Sequence, residues 1–140
     1  VAGVKYEDLQ GEPLAPTAVH YTSHMISAAQ AGTLGEVLAV LLACPWTYLE
    51  IGQKLIEDFR PDESHPFYEW IMFYGDQPME PRIQKFRNRI DELAEEASKH
   101  EKEQMMDHFL KSCQLEYMFF DMAYKLEQWP VALNTVQARS

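Results

Sequence analysis

From Val37 to Trp46 the chain reads Val-Leu-Ala-Val-Leu-Leu-Ala-Cys-Pro-Trp, a run that is apolar on nearly every side when wound as a helix. A surface helix keeps one polar face, and a helix that lacks one has to be enclosed by others. The run therefore demands several partner helices, and 140 residues suffice for them within one domain. As an apolar run it falls well short of the ~20 residues that cross a bilayer, and no positively charged leader with a cleavage site precedes it. No membrane association is expected.

The punctuation of the chain supplies those partners. The first fifteen residues, with Gly3, Gly11 and Pro13, show no steady period and read as an irregular arm. Pro16 opens a first helix that Gly32 stops, with Tyr21, Met25, Ala28 and Ala29 on one face. Thr33-Leu-Gly-Glu36 has the form of a capping box and starts a second helix running to about Phe59. Pro45 lies inside it, so the carbonyl of Leu41 loses its donor beside Cys44 and a kink is predicted. After the turn-rich segment Arg60–Pro66, a short aromatic helix spans Phe67 to Tyr74 and closes at Gly75. Past Pro81, the residues Ile83, Phe86, Ile90, Leu93 and Ala97 recur at helical steps over a charged face. Ser98-Lys-His-Glu101, a second capping box, opens a last helix predicted to reach Trp129, and residues 131–140 read as a loose tail. No segment alternates with period two and no repeat is visible, so the fold class is all-α with five helices.

A formal charge of -10 opposes direct binding to nucleic acid, since the few basic residues are scattered among acids apart from Lys85-Phe-Arg-Asn-Arg89. Two cysteines make no disulfide framework, so Cys44 and Cys113 are expected as free thiols in a reducing, cytoplasmic setting. The chain opens at Val1 rather than methionine, which leaves open whether it is processed, trimmed or partial.

Few residues stand where packing alone would not put them. In the last helix the apolar stripe is read through Met106, Phe109 or Leu110, Cys113, Tyr117, Phe120 and Tyr124, and Glu116 falls inside it. A buried carboxylate is costly unless paired and tends to hold its proton, so it is either an acid/base group or an edge residue bonded to a tyrosine. Cys44 has Tyr48 one turn on and the Pro45 irregularity beside it. It is either an activated nucleophile or a small core hydrophobe, while Cys113 is assigned to the core. His20 and His24 share a face, as metal ligands often do, but no further ligand set accompanies them and an ordinary exposed or satisfied pair is favoured. No Glu-x-x-His occurs, which removes the dimetal carboxylate bundles, and glycine-rich phosphate loops and Cys-x-x-Cys pairs are absent. Tyr21, Tyr48, Tyr74, Trp46 and Trp70 are candidates to stack on a flat ring or to fill the core.

Four blocks, taken in order and spacing, carry a resemblance: Tyr21-Thr-Ser-His-Met25, the stretch from Leu41 to Gly52, Trp70-Ile-Met-Phe-Tyr74, and Leu115-Glu-Tyr-Met-Phe-Phe-Asp-Met-Ala-Tyr124. Across about residues 16 to 130 they resemble the TenA/thiaminase II family. The resemblance implies a heme-oxygenase-like all-α bundle, a homotetramer, no metal or organic cofactor, and hydrolysis of aminomethylpyrimidine or thiamin to hydroxymethylpyrimidine for thiamin salvage. It makes Cys44 the nucleophile that adds to the pyrimidine ring and Glu116 the acid/base, with Tyr21, Tyr48 and Tyr74 lining the ring site. Two departures, Ala43 for a frequent proline and Phe120 for a frequent tryptophan, affect packing more than chemistry. Family chains are longer at the front, where they supply an aspartate for the aminopyrimidine and further pocket aromatics. A pyrimidine-binding or transcription-associated regulator of the same fold is the alternative function. A heme or dimetal oxidase rests on fold analogy alone.

Overall fold

The computed structural model describes residues 5–11, 13–76 and 79–131, and among these every regular element is helical. A one-turn 3-10 helix, Tyr6–Leu9, interrupts the arm that the sequence leaves irregular. Five α-helices follow: α1 Pro16–Ala31, α2 Leu34–Phe59, α3 Tyr68–Gly75, α4 Met79–Glu96 and α5 Lys99–Lys125. The all-α expectation holds. Of the predicted tail, residues 131–140, only Val131 is described, and it is exposed; the rest lies outside the described residues.

The starts and stops have local causes. Thr33 accepts from the Glu36 N–H at 3.4 Å and Ser98 from the Glu101 N–H at 3.2 Å, so each supposed capping box supplies its N-cap half. The Glu36 side chain turns instead to His108, 3.5 Å away. Helix α1 ends as Gly32 turns to extended backbone, and a Cβ there would lie 2.7 Å from Glu36 Oε2 and 2.8 Å from the Ala28 carbonyl. Helix α5 stops at Lys125, short of the predicted Trp129, because Leu126 adopts a left-handed conformation with φ 53° and turns the chain back. The turned segment is then tied to the start of α1. Thr17 donates from its N–H and hydroxyl to the Glu127 carboxylate, and the Trp129 indole donates to the Leu14 carbonyl at 2.8 Å.

Helix α2 packs against all four other α-helices, as a helix apolar nearly all round requires. At 26 residues, with a mean hydropathy of 1.4 in its most apolar window, it is long and apolar enough to cross a bilayer, a length that the Val37–Trp46 run alone understates. Here it is the central helix of the bundle and runs uninterrupted through Pro45. Leu42 and Leu49 on α2 meet Ile83 on α4, with Trp46, Phe86, Ile90 and Phe109 packed around them. Leu42, Leu49 and Ile83, which are buried, each contribute ~1.5–3 kcal/mol by leaving water, and the partly buried side chains contribute less. Ile83, Phe86, Ile90 and Leu93 lie on the inner side of α4, as their spacing predicts, and Ala97, just past its end at Glu96, is half-buried as well.

Two assignments of face are corrected. On α1, Tyr21 and Ala28 are buried and Met25 half-buried, but Ala29 is exposed. On α5 the buried face carries Met105, Ser112, Leu115 and Glu116. Much of the stripe read from the sequence is turned away from it: Tyr117, Phe120 and Tyr124 are 76%, 38% and 89% exposed, while Phe109 and Cys113 stay half-buried. Helix α5 contacts α1 and α2 together, so it buries a broad face set by both neighbours, and an apolar residue is no guide to which side faces them.

Candidate active site

Close backbone contact between α2 and α3 begins the site. A Cβ on Gly52 would lie 2.5 Å from the Gly75 nitrogen and 2.7 Å from its Cα, so the two helices touch main chain to main chain. Gly75 is thus both the last residue of α3, as the sequence suggests, and the point of contact with α2. One turn before Gly52 on α2 stands Tyr48, and next to Gly75 stands Tyr74. The crossing sets their rings 4.8 Å apart. Trp70 and Phe120 complete the cluster, with centroids 5.9 Å and 5.5 Å from Tyr48. Tilted geometries at these spacings are favourable for aromatic pairs.

One further turn back along α2 is Cys44, half-buried. Burial, and then the negative charge of Glu116, push its thiol up to about 11. The sulfur therefore rests protonated near neutrality, the opposite of a standing thiolate. Tyr48 is raised by burial first, then by Glu116, Cys44 and Tyr74. Tyr21, 5% exposed, is raised above the ordinary phenol range by burial, then by its side-chain hydrogen bond to Glu116 and by the charge of that carboxylate. Glu116 itself is 2% exposed. It acts electrostatically on Cys44, Tyr21 and Tyr48 alike, and Tyr48 joins Tyr74 to them, so four helices bring the five expected residues to one place.

The arrangement also departs from expectation. An open cleft of about 450 Å³ is lined by Glu116, Thr47, Ile51, Cys113 and Phe120 among others, but not by Cys44. Cys113, assigned to the core from sequence, lies on this cleft, and burial and Glu116 raise its thiol too. Ser112, wholly buried one turn before Glu116, has no signal in the sequence beyond that spacing. The two histidines of α1 do not act as a pair. His24 stacks on His108 at 5.3 Å and meets its carbonyl at 3.4 Å, whereas His20 is exposed. Among the described residues no group of three or more His, Cys, Asp or Glu side chains is placed to hold a metal ion.

Fold and site together define an all-α protein in which one buried carboxylate governs a thiol and two tyrosines beside an aromatic cluster. The chain belongs to the TENA/THI-4/PQQC family, whose pattern matches residues 1–126. It is 41% identical over 115 residues to the aminopyrimidine aminohydrolase of Bacillus subtilis (strain 168), covering 81% of this chain and 48% of that protein. The aminopyrimidine aminohydrolase of Halalkalibacterium halodurans is 37% identical over 128 residues, covering 91% of this chain and 57% of that protein. That of Helicobacter pylori is 36% identical over 106 residues, covering 75% of this chain and 48% of that protein. The chain thus spans about half the length of the curated relatives it matches.

Proposed function

We propose that the full-length protein is an aminopyrimidine aminohydrolase that takes aminomethylpyrimidine or thiamin and releases hydroxymethylpyrimidine. The observation that carries this reading is the position of Glu116, buried and acting at once on Cys44, Tyr21 and Tyr48. Cys44 is the nucleophile that adds to the pyrimidine ring, which loosens the bond from the exocyclic methylene to its amine or thiazolium leaving group. Because the thiol rests protonated, its proton has to be accepted as the carbon–sulfur bond forms, and Glu116 is the neighbouring base. The same carboxylate then serves the protons of the leaving group and of the attacking water. Tyr48 and Tyr74 offer the flat ring an aromatic wall, and Tyr21 holds a hydroxyl beside the carboxylate.

This reading needs neither metal nor organic cofactor. It places the protein in the cytoplasm, with free thiols, as a homotetramer. Exposed apolar side chains such as Phe73 and Tyr124 support association. The test is release of hydroxymethylpyrimidine from either substrate by the full-length protein. Cys44→Ala and Glu116→Gln are each expected to reduce it at least a hundredfold, and turnover unchanged in Cys44→Ala rules out the nucleophile. Calorimetric binding of the pyrimidine with no turnover in the unmodified protein supports the regulatory alternative instead.

A further inference from the structure

The basic run Lys85-Phe-Arg-Asn-Arg89 on α4 takes no part in the site around Glu116. Two of its members are held differently. Arg89 pairs with Glu92 at 2.8 Å. Arg87 instead lays its guanidinium over the Trp46 ring, 4.3 Å from the centroid, and among the described residues it enters neither an ion pair nor a side-chain hydrogen bond.

Trp46 is a fixed platform for that cation. Its indole N–H donates to Glu50 at 2.9 Å, and its ring packs on Phe109 with centroids 5.9 Å apart. A guanidinium stacked on such a ring gives up its face and keeps its N–H donors along the edge, in a fork that matches a carboxylate. The fork is therefore oriented and unused.

Arg87 and Trp46 both line an open hollow of about 360 Å³ between α2, α4 and α5. Its apolar lining includes Leu42, Ile90, Phe109 and the thioethers of Met105 and Met106. Small-molecule sites have this size and character, mostly apolar with a few placed polar groups. Methionine sulfur and aromatic side chains together receive a flat aromatic body well.

The charges select the head group. Lys102 and Asp91 also line the hollow, so two cations face one acid, and the balance is positive in a chain of formal charge -10. An anion is favoured there over a cation. The fork by itself takes a carboxylate or a phosphate. Asp91, one helical turn from Arg87, repels a second negative charge, so a monoanion fits better than a phosphate dianion.

We infer that this hollow binds a compact aromatic monocarboxylate, with its acid on Arg87 and Lys102 and its ring along Met105, Met106 and Phe109. None of Cys44, Glu116, Tyr21, Tyr48 and Tyr74 lines it, so the site is separate from the one around Glu116 and stands without the aminopyrimidine reading.

Calorimetric titration of the full-length protein with cinnamate at pH 8 tests the site, with cinnamamide as the neutral counterpart and cinnamyl phosphate as the dianionic one. Cinnamate is expected to bind, and each counterpart to bind about tenfold more weakly. Saturating hydroxymethylpyrimidine is expected to leave the affinity for cinnamate unchanged. Arg87→Gln should weaken binding about tenfold, whereas Lys102→Gln, which removes a point charge at the rim, should weaken it about threefold. Both residues are exposed, and far-ultraviolet circular dichroism checks that the variants keep their helices. Absence of cinnamate binding, undiminished binding in folded Arg87→Gln, equal or tighter binding of either counterpart, or displacement by hydroxymethylpyrimidine each overturns the site. The titration requires no turnover, so failure of the aminopyrimidine reading leaves it intact.

Discussion

Glu127 accepts hydrogen bonds from both the N–H and the hydroxyl of Thr17, at 2.9 and 3.1 Å, across 110 positions of sequence. Helix α1 has no cap of its own, since Ala15 offers no side-chain acceptor and the first turn holds no acid. The carboxylate of the returning chain does that work, where a negative charge also meets the positive end of the helix dipole. Tyr21 stands one turn further along, so the cap also fixes where that phenol sits against Glu116. Glu127→Ala is expected to destabilise the protein by ~1–2 kcal/mol. Glu127→Gln, whose single amide oxygen still accepts from the Thr17 N–H but without the charge, is expected to lose less. Urea denaturation at neutral pH orders the three proteins.

Gly75 and Gly52 leave no room for a side chain where α3 meets α2. Gly75→Ala puts a methyl against the Gly52 main chain, and neither backbone has a flexible end to yield. A cost of ~1–3 kcal/mol follows from overpacking of this kind. Because the same contact seats Tyr74 on Tyr48, near-ultraviolet circular dichroism from the aromatic cluster is expected to weaken along with the drop in thermal midpoint. A signal unchanged at full stability would separate the crossing from the cluster.

What the sequence discloses here is mostly local. Helix starts at Thr33 and Ser98 follow from single side chains meeting nearby backbone, and the start at Pro16 from the proline at the first helical position. Each is therefore legible in the sequence, although the cap on α1 comes from Glu127. The end of α5 is not, because Leu126 turns left-handed in a chain that then binds back to Thr17 and Leu14, contacts that only the assembled bundle defines. Cys44, Glu116 and the three tyrosines emerge from ordered blocks of sequence, and the structure brings them together. Which side of α5 is buried depends on α1 and α2 at once, so Tyr117 and Tyr124 read as core while Ser112 passes unnoticed. A small hydroxyl on a helix has no pattern that marks it until its neighbours are known.

Acid pH is expected to loosen the α1–α5 contact through His24. Burial is the main influence and holds its pKa below the ordinary value, His108, His20 and Lys111 add positive charge nearby, and the His108 carbonyl opposes the shift in part. Glu36 faces the neighbouring His108 ring at 3.5 Å. A histidine whose folded pKa is depressed contributes stability that is complete above the unfolded value, near 6.5, and is lost as the pH falls through it toward the folded value. The thermal midpoint should therefore drop between pH 7.5 and 5.5, and His24→Gln should flatten that slope. An equal slope in the variant would assign the acid sensitivity elsewhere.

The Cys44 thiol gives a direct reading of the site's electrostatics. In a Cys113→Ser background, which leaves one cysteine, alkylation by iodoacetamide measures the thiolate fraction of Cys44. Its pH profile is expected to rise toward an inflection near 11, in place of the ordinary value near 9. Glu116 contributes to that elevation by its charge, so Glu116→Gln should move the inflection down and speed alkylation at pH 8, even as it removes the base that turnover requires. The two effects have opposite signs, which separates the electrostatic role of the carboxylate from its catalytic one. Stability follows the same group. A raised thiol favours the folded state fully below the unfolded pKa and loses that contribution as the pH rises toward 11. Unfolding midpoints should therefore decline from about pH 9 upward, with Cys44→Ala declining less. Alkylation that already inflects below pH 8 would mean a thiolate present at rest, and would remove the need for Glu116 to take its proton.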